Sequence, residues 1–144
     1  GVFIENYFAS YPKIKGYLDG SVAHAREHGW VSTVLGRQRN LDAIRSSRRA
    51  ERANAERVAL NSPIQGSAAD IMKLAMLRVA ERLEREQLRA HLLLQVHDEL
   101  VLEVHPDDAD ALEVLVREEM SGAYELSVPL KVDVGRGANW LEAH

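Results

Sequence analysis

Two short apolar runs, residues 92–96 and 100–104, are separated only by His97, Asp98 and Glu99. Their length and composition favour strands, and so short a separation leaves room only for a very tight hairpin turn. Such a turn places three consecutive ionisable side chains at the end of two hydrophobic strands, which is costly unless the tip is hydrated or binds a metal ion. This hairpin is therefore the first candidate for a functional site.

The aspartate of this turn, Asp98, is the strongest candidate metal ligand in the chain. Magnesium prefers carboxylate oxygens and keeps several waters for substrate phosphates, so a carboxylate on a rigid turn suits it. Aspartate is also a common turn residue, and the turn alone does not distinguish these roles. His97 could be a metal ligand, a general base or a hydrogen-bond donor to a nucleic-acid strand. Glu99 either assists the metal or is solvated.

Other chemistries have little support in the sequence. Because there is no cysteine and no second histidine at a helical spacing from His97, a zinc site is not expected. No serine stands in the turn context of a hydrolase nucleophile. No apolar run approaches the ~20 residues needed to span a bilayer, and no signal peptide is visible. We expect a protein of the reducing cytoplasm with no membrane partner.

Positive charge is concentrated in one stretch of an otherwise acidic chain. The net charge is −4, which by itself argues against a nucleic-acid partner, but residues 37–57 contain seven arginines, three acids and no lysine. Since the planar fork of arginine suits phosphate oxygens, this stretch predicts contact with a polyanion. The alternative is a solvated helix face whose arginines pair with acids of the same helix.

The first part of the chain is predicted to be helical, followed by a hairpin. Apolar side chains recur every three or four positions over residues 2–28. Pro12 should divide this stretch into two helices, and Gly29 should end the second. The predicted hairpin then consists of strands at 30–35 and about 39–41, which turn at Gly36.

The remainder alternates helices with strands. An arginine-rich helix over residues 47–61 should be kinked or restarted at Pro63, and a longer helix then runs to about residue 86. After the apolar hairpin, Pro106 begins another helix and Gly122 ends it. A strand at 130–134 and an irregular tail anchored by Trp140 complete the chain, which predicts an α+β fold with antiparallel strands. The long helix should bury Ala68, Met72, Ala75, Val79 and Leu83.

Two segments of the sequence resemble a known family. The strings ERVALNSPIQGSAADI at residues 56–71 and LQVHDELV at residues 94–101 closely resemble the C-terminal region of the family A DNA polymerases. The resemblance covers essentially the whole chain, because weaker matches lie at 7–12, 33–37 and 132–140. Two separated motifs of this length in the right order form a specific signal.

The resemblance implies a role for several individual residues. In the family, the aspartate of the His-Asp-Glu motif binds the catalytic magnesium ions, which corresponds to Asp98, and the neighbouring glutamate, here Glu99, has a secondary active-site role. The histidine, here His97, lies near the primer terminus. The family also uses an arginine, an asparagine and a glutamine of the preceding helix to contact the primer–template minor groove. These three positions are Arg57, Asn61 and Gln65.

Physical arguments on those three residues point the same way but leave an alternative open. Positions 57, 61 and 65 are spaced by four and share one helix face if the kink at Pro63 is mild. Amide and guanidinium groups can bond the minor-groove acceptors common to all base pairs. Ser62 and Gln65 also fit a capping box at the start of a helix, which would give Gln65 a structural role.

The resemblance further implies a fold, an activity and partners. It predicts an antiparallel palm-type sheet, with the motif hairpin packed against long helices, within a polymerase right-hand fold. Residues 1–46 would belong to the fingers side and 47–144 to the palm. The implied activity is DNA-directed DNA synthesis in replication and repair, with primer–template DNA, deoxynucleoside triphosphates, two Mg²⁺ ions and the rest of the polymerase chain as partners. Such a protein is expected in the cytoplasm, associated with the nucleoid.

The chain also departs from the family pattern. The family commonly has an aromatic residue and a proline after the first hairpin turn, whereas residues 36–42 read GRQRNLD. Template-strand contacts there would fall to Arg37 and Arg39. The chain begins with Gly1 and opens into what reads as the middle of a helix, which predicts a C-terminal piece of a longer enzyme. The family's other metal-binding aspartate belongs upstream, so the piece alone is expected to be inactive.

Two rival functions remain at this point. A non-catalytic nucleic-acid-binding module would use only the arginine-rich stretch and the Arg57/Asn61/Gln65 face, and would bind DNA in a salt-dependent but magnesium-independent manner. A single-subunit RNA polymerase is a distant relative of similar architecture. Glu99 and the Asn-x-Pro-x-Gln-Gly string favour the DNA enzyme.

Overall fold

The computed structural model describes residues 2–143, apart from the side chain of Val2. They form two compact units, the first up to Asp70 and the second from Ile71 onwards. This division does not test the assignment of residues 1–46 to the fingers side and 47–144 to the palm, which stays a prediction.

The first unit opens with the two predicted helices, α1 (Val2–Ser10) and α2 (Pro12–His28). Pro12 occupies the first turn of α2, where its missing N–H costs no helical hydrogen bond. Gly29 ends α2 in the left-handed conformation, with φ of 84°, and its N–H donates to the carbonyl of Ala25 at 2.8 Å. Both predicted boundaries are confirmed.

A short antiparallel hairpin follows, formed by β1 (Trp30–Ser32) and β2 (Gln38–Asn40). The first strand is three residues shorter than predicted, because residues 33–37 form the turn instead. Gly36 lies in this turn with φ of 81°, a conformation that L side chains adopt only at a cost. A 3₁₀ helix (Asp42–Arg45) leads from the hairpin to the next helix.

One 38-residue helix, α3 (Arg49–Glu86), replaces the two helices predicted on either side of Pro63. The predicted restart is wrong because a proline removes only one N–H donor, and the turns on either side keep their own hydrogen bonds. Ser62 therefore lies inside the helix rather than at its N-cap, so the capping-box interpretation of Ser62 and Gln65 is wrong as well. The side chain of Ser67 donates to the carbonyl of Pro63.

The core of the first unit is small and built where α2, the hairpin and the first turns of α3 meet. Ala59 and Ala25 have no exposed surface, and Ile44 of the 3₁₀ helix is almost fully buried. Small alanine side chains on two of the helices allow the close packing that so short a hairpin requires. The core consists of Ala25, Val31, Leu41, Ile44, Ala55 and Ala59.

The second unit contains the apolar hairpin, β3 (Ala90–Val96) and β4 (Glu99–Val104), followed by a 3₁₀ turn (Pro106–Asp108) and helix α4 (Ala109–Ser121). The strands are antiparallel, and their register shifts once, between Leu92 and Leu94. The predicted buried face of the long helix holds for Ala75, Val79 and Leu83, but Met72 is only half-buried and Ala68 is exposed. The core of this unit consists of Val79, Leu83, Ala90, Leu112, Leu115 and Val116.

The predicted strand at residues 130–134 is wrong. Its side chains alternate between half-buried and exposed as expected, but no strand pairs with it among residues 2–143. Instead, Arg117 donates to the carbonyl of Val132 at 2.6 Å. An alternating pattern reports an extended chain, and only a neighbouring strand turns that chain into a sheet.

The anchor of the tail also differs from the expectation. Trp140 begins a four-residue helix, α5 (Trp140–Ala143), and is 49% exposed, so it does not anchor the tail within this chain. Arg136 does so, because it pairs with Asp110 at 2.7 Å and with Glu113 at 2.5 Å, both on α4. The predicted α+β class with antiparallel strands is confirmed. Across residues 2–143, every helix is too short or too polar to cross a membrane.

Candidate active site and nucleic-acid interface

The tip of the β3–β4 hairpin is a two-residue turn. Val96 pairs with Glu99, so only His97 and Asp98 lie outside the strands, and Glu99 is the first residue of β4 rather than part of the turn. His97 has φ of 54°, in the left-handed region that is unfavourable for a side chain of this size. The Gln95 side chain donates from Nε2 to the carbonyl of His97 at 2.8 Å. This hydrogen bond stabilises the turn that carries Asp98.

The Asp98 side chain is exposed, and within residues 2–143 no protein group bonds to its carboxylate. A solvated carboxylate on a tight turn fits a hard cation such as Mg²⁺, which takes oxygen ligands and keeps some of its waters. In the described part of the chain, no three His, Asp or Glu side chains gather into a metal site. Asp98 can therefore supply one ligand to a site completed by other groups.

The strands behind this tip are less buried than the sequence suggests. Ala90 is buried, and Leu102 and Val104 pack against the core of the second unit, but Leu93 and Leu94 are 54% and 44% exposed. A two-stranded ribbon has two faces, and α3 and α4 provide the core for only one of them. The β3–β4 ribbon is therefore buried on one face only.

Charged side chains hold the base of the same hairpin. Arg89 directly precedes β3, and its backbone N–H and Nε both donate to Oδ2 of Asp108, at 3.0 and 2.8 Å. Hydrogen bonds from the Arg89 side chain, and then from its backbone N–H, lower the pKa of Asp108 to about 2. His105, which follows β4, donates its N–H to the carbonyl of Arg89 at 2.9 Å. The hairpin is thus fastened at its base while its tip faces solvent.

The three predicted DNA-contacting residues lie on one exposed face of α3. Arg57, Asn61 and Gln65 are all exposed, and their spacing of four places them along one side of the unbroken helix. Among the residues that the structure describes, the guanidinium of Arg57 bonds only to the side chain of Asn54, at 3.2 Å on the same face. The opposite face of this part of α3 is buried. Its residues are Ala55, Ala59, Ser62 and Asp70.

The arginine-rich stretch has mixed partners. Arg48, which directly precedes α3, pairs with Glu51 of its first turn at 2.9 Å, and hydrogen bonds from the Ser46 hydroxyl and then from Arg48 lower the pKa of Glu51. Arg45 and Arg52 donate to backbone carbonyls instead. Within the described residues, the alternative of a helix face covered by internal ion pairs is therefore limited to the Arg48–Glu51 pair at the start of α3.

Arg37 and Arg39 hold the first hairpin against α3. The Arg37 Nε donates to Oδ1 of Asp70 at 2.8 Å, and its Nη2 donates to the carbonyl of Gly66 at 3.2 Å. Arg39 donates to the Ser62 hydroxyl at 3.2 Å. Sequence reasoning missed Ser62 and Asp70 as partners, because 23 and 33 residues separate them from the arginines. The only signal that the sequence offered was an acidic residue, Asp70, inside a predicted helix.

The sequence of the chain matches a family model over nearly its whole length. The model describes DNA polymerase family A, and the match covers residues 1–142. The chain belongs to DNA polymerase family A. It is 49% identical over 140 residues to DNA polymerase I of Caldicellulosiruptor bescii, covering 97% of this chain and 16% of that protein.

Other family A members are as similar. DNA polymerase I of Mycobacterium bovis is 51% identical over 95% of this chain and 15% of its own length, and the thermostable DNA polymerase I of Thermus filiformis is 50% identical over 98% and 17%. The fold matches the polymerase domain of Pol1 from M. smegmatis, solved with a DNA primer-template and dNTP, with a TM-score of 0.97 and 51% identity. That match covers 99% of this chain and 25% of the solved one. The chain therefore spans only about a sixth of the length of these polymerase I relatives.

Proposed function

We propose that this stretch of family A sequence supplies the Asp98 carboxylate to the active site of a DNA-directed DNA polymerase, which adds deoxynucleotides to a primer 3′-hydroxyl. The main observation that supports this proposal is an exposed carboxylate on a two-residue turn, within a string that resembles the family's His-Asp-Glu motif. A turn so short holds its carboxylate in a narrow range of positions, which is what a catalytic ligand requires.

Asp98 is the proposed ligand for Mg²⁺, and Glu99 a secondary acid beside it. Two bound Mg²⁺ ions would supply charge neutralisation at the triphosphate and a lowered pKa at the primer hydroxyl. One aspartate cannot hold both ions, so we propose that a second carboxylate comes from outside residues 1–144. The isolated stretch is then inactive, and the polymerase that contains it is active.

DNA contacts are proposed for the exposed face of α3 and for the two hairpins. Arg57, Asn61 and Gln65 can bond minor-groove acceptors that all base pairs share, which gives contact without sequence preference. His97, beside the metal ligand, is proposed to lie near the primer terminus. Exposed N–H groups of Arg37 and Arg39 can reach the template backbone. The solved M. smegmatis relative, which carries primer-template and dNTP, supports these partners.

The proposed setting follows from the proposed reaction. A DNA polymerase of this family would act in replication and repair, in the cytoplasm and in association with the nucleoid. The relatives that support this are named DNA polymerase I.

Primer extension by the polymerase that contains this stretch tests the proposal. Asp98→Ala should reduce the rate constant by about a thousandfold or more, because metal-ligand loss removes several kcal/mol of transition-state stabilisation. Primer–template binding in the same variant should change little. The matched control is Glu103→Gln, an exposed acid on the same hairpin, which should extend primers at the normal rate.

Two results would contradict the proposal. The first is normal extension by Asp98→Ala, and the second is primer extension by the purified 144-residue stretch alone. Loss of DNA binding together with extension in Asp98→Ala would instead favour a binding module, whose affinity should fall with salt and be indifferent to Mg²⁺.

A further inference from the structure

The segment of α3 that carries Gln65 is intrinsically weak. Pro63 has no N–H and removes one hydrogen bond from the helix, while Gly66 costs about 1 kcal/mol of helix propensity relative to alanine. Gln65 lies between them. A helix interrupted in this way would be expected to bend or fray locally, yet α3 is continuous there.

Four contacts from the β1–β2 hairpin meet α3 on both sides of this weak segment. On the N-terminal side, Arg39 bonds to Ser62. On the C-terminal side, the Val34 N–H donates to the Ser67 hydroxyl at 2.9 Å, and Arg37 bonds to Asp70 and to the carbonyl of Gly66, the residue directly after Gln65. These contacts are called the turn brace, formed by Val34, Arg37 and Arg39 with Ser62, Gly66, Ser67 and Asp70.

Burial and close packing make the turn brace specific. Asp70 is 7% exposed, so its carboxylate is held in a fixed position beside Arg37. A Cβ at position 66 would lie 2.7 Å from Cγ2 of Thr33, which is too close for any residue but glycine without a shift. The turn therefore touches the helix where the helix has no side chain. Gln65 lines the small cavity, about 70 Å³, that remains between them, together with Arg37, Arg39 and Ser62.

We propose that the turn brace holds the weak segment of α3 in helical geometry and thereby positions Gln65 against the primer–template. Arg37 and Asp70 are then positioning residues, which act on DNA through Gln65. This inference rests on the proposed function, because Gln65 is a proposed DNA contact. For Arg37 it is an alternative to the direct contact proposed above, in which its guanidinium would bind a template phosphate.

The two roles of Arg37 predict opposite results for its partner. If Arg37 binds a phosphate, Asp70→Asn removes a competing negative charge, so binding is unchanged or tighter and extension is preserved. If the turn brace positions Gln65, Asp70→Asn and Arg37→Gln both lower the extension rate constant at saturating DNA and nucleotide. The expected loss is about tenfold, inside the hundredfold range for a misplaced group.

The experiment is a set of double-mutant cycles in the polymerase that contains this stretch. The variants are Arg37→Gln, Asp70→Asn and their combination, each with Gln65 and with Gln65→Ala. The combination should lose no more than Arg37→Gln alone, because that variant already removes the contact with Asp70 together with the one to the Gly66 carbonyl. In the Gln65→Ala background the brace variants should cause no further loss. Glu51→Gln, an exposed acid of the same helix that is paired with Arg48, is the matched control and should extend normally.

A change in folding alone is excluded by the design. Rates are compared well below each variant's thermal midpoint, and a loss of folded protein would persist in the Gln65→Ala background. If Asp70→Asn does not fold, Ser67→Ala tests the same brace, because it removes the acceptor of the Val34 N–H; it also removes the hydrogen bond that Ser67 donates to the Pro63 carbonyl within α3. Ser67→Ala should show the same dependence on Gln65.

The possible results distinguish failure of the turn brace from failure of the DNA contact proposed for Gln65. A rate loss in Gln65→Ala, with normal extension by Asp70→Asn and Ser67→Ala, overturns the brace and leaves the proposed DNA contact intact. Normal extension by Gln65→Ala overturns both. Brace variants that lower the rate by the same factor with and without Gln65 also overturn the inference, because the effect would not pass through Gln65.

Discussion

The two hairpins of this chain are fastened at opposite ends. The β1–β2 hairpin is held at its turn, where Val34 and Arg37 bond to α3. The β3–β4 hairpin is held at its base, where Arg89 bonds to Asp108 and to the N–H of His105, and its tip faces solvent. Both have charged residues at or beside the turn: Arg37 of the first makes internal contacts, whereas Asp98 of the second has no partner among residues 2–143.

This difference distinguishes charged side chains that stabilise the fold from charged side chains that remain available to bind a metal ion or a substrate. An ion pair that is already made within the protein is not available to a metal or a substrate unless it is broken. An exposed acid such as Asp98, with no partner in the described chain, can bind a ligand without giving up an internal contact. The second hairpin therefore offers a reactive group, whereas the first supports its neighbouring helix.

Replacing aspartate by asparagine should have very different effects on stability at Asp70, which contacts the first hairpin, and at Asp98, on the turn of the second. Asp70→Asn removes a buried partner of Arg37 and should cost about 2–3 kcal/mol, at the lower end for a buried pair because Arg37 itself is half exposed. Asp98→Asn should change the free energy of unfolding by less than about 0.5 kcal/mol. Thermal unfolding of the polymerase, with hydrogen exchange of α3 amides, measures both. Equal costs would remove the distinction between the hairpins.

The close approach of the first turn to α3 gives a second test. Gly66→Ala should cost about 1 kcal/mol net, because the collision of its Cβ with the Thr33 methyl group outweighs the helix propensity that alanine gains over glycine. Adding Thr33→Ser removes that methyl group and should restore most of the loss in the thermal midpoint. If the double variant is no more stable than Gly66→Ala, the turn does not pack on the helix at this position.

The left-handed residues of the two turns should respond in opposite directions. Gly36→Ala forces a side chain into positive φ and should cost about 1 kcal/mol. His97→Gly relieves the same strain and should stabilise by about 0.5 kcal/mol, since the added chain entropy of glycine offsets part of the gain. The thermal midpoints of both variants check this. A lower midpoint for His97→Gly would mean that the histidine side chain itself stabilises the turn.

The smallest expected effect is the loss of stability at low pH that comes from the contact between Arg89 and Asp108, at the end of the β3–β4 hairpin away from its turn. Because the folded pKa of Asp108 is depressed to about 2, its contact with Arg89 stabilises fully above the ordinary aspartate pKa of about 4 and is lost as the pH falls toward 2. Asp108→Asn should lower the thermal midpoint at about pH 6, and its difference from the parent should shrink between about pH 4 and pH 3. A difference independent of pH would rule out the charged contact as its source.

Features set by local chemistry were predicted well from the sequence. The helix boundaries at Pro12, Gly29 and Gly122 depend only on proline and glycine geometry, and all three are confirmed. The tip turn was predicted one residue too long because the pattern does not distinguish a turn residue from the first residue of a strand, here Glu99. Family assignment came from two contiguous strings and is confirmed as well.

Features that depend on distant partners were not predictable in this way. The helix continues through Pro63 without the restart that was one of the two predicted outcomes, and the segment at 130–134, predicted as a strand, stays unpaired in the described chain. The contact of Arg37 with Asp70 was not predicted, because 33 residues separate the two, and the DNA contact of Arg37 stays a prediction. Asp98 itself was singled out by turn chemistry and family resemblance together, and its catalytic role stays a prediction.

Because the register shifts between Leu92 and Leu94, the number of leucines in this run affects the geometry of the β3–β4 hairpin. A bulge bends its strand and increases the local twist, so it sets the direction in which the rest of the ribbon points. Deleting one leucine would hardly change composition or hydrophobicity, and it would leave the motif intact. It would nevertheless straighten the ribbon and re-aim Asp98. When related genes are aligned, a one-residue gap here is therefore a more serious change than most substitutions nearby.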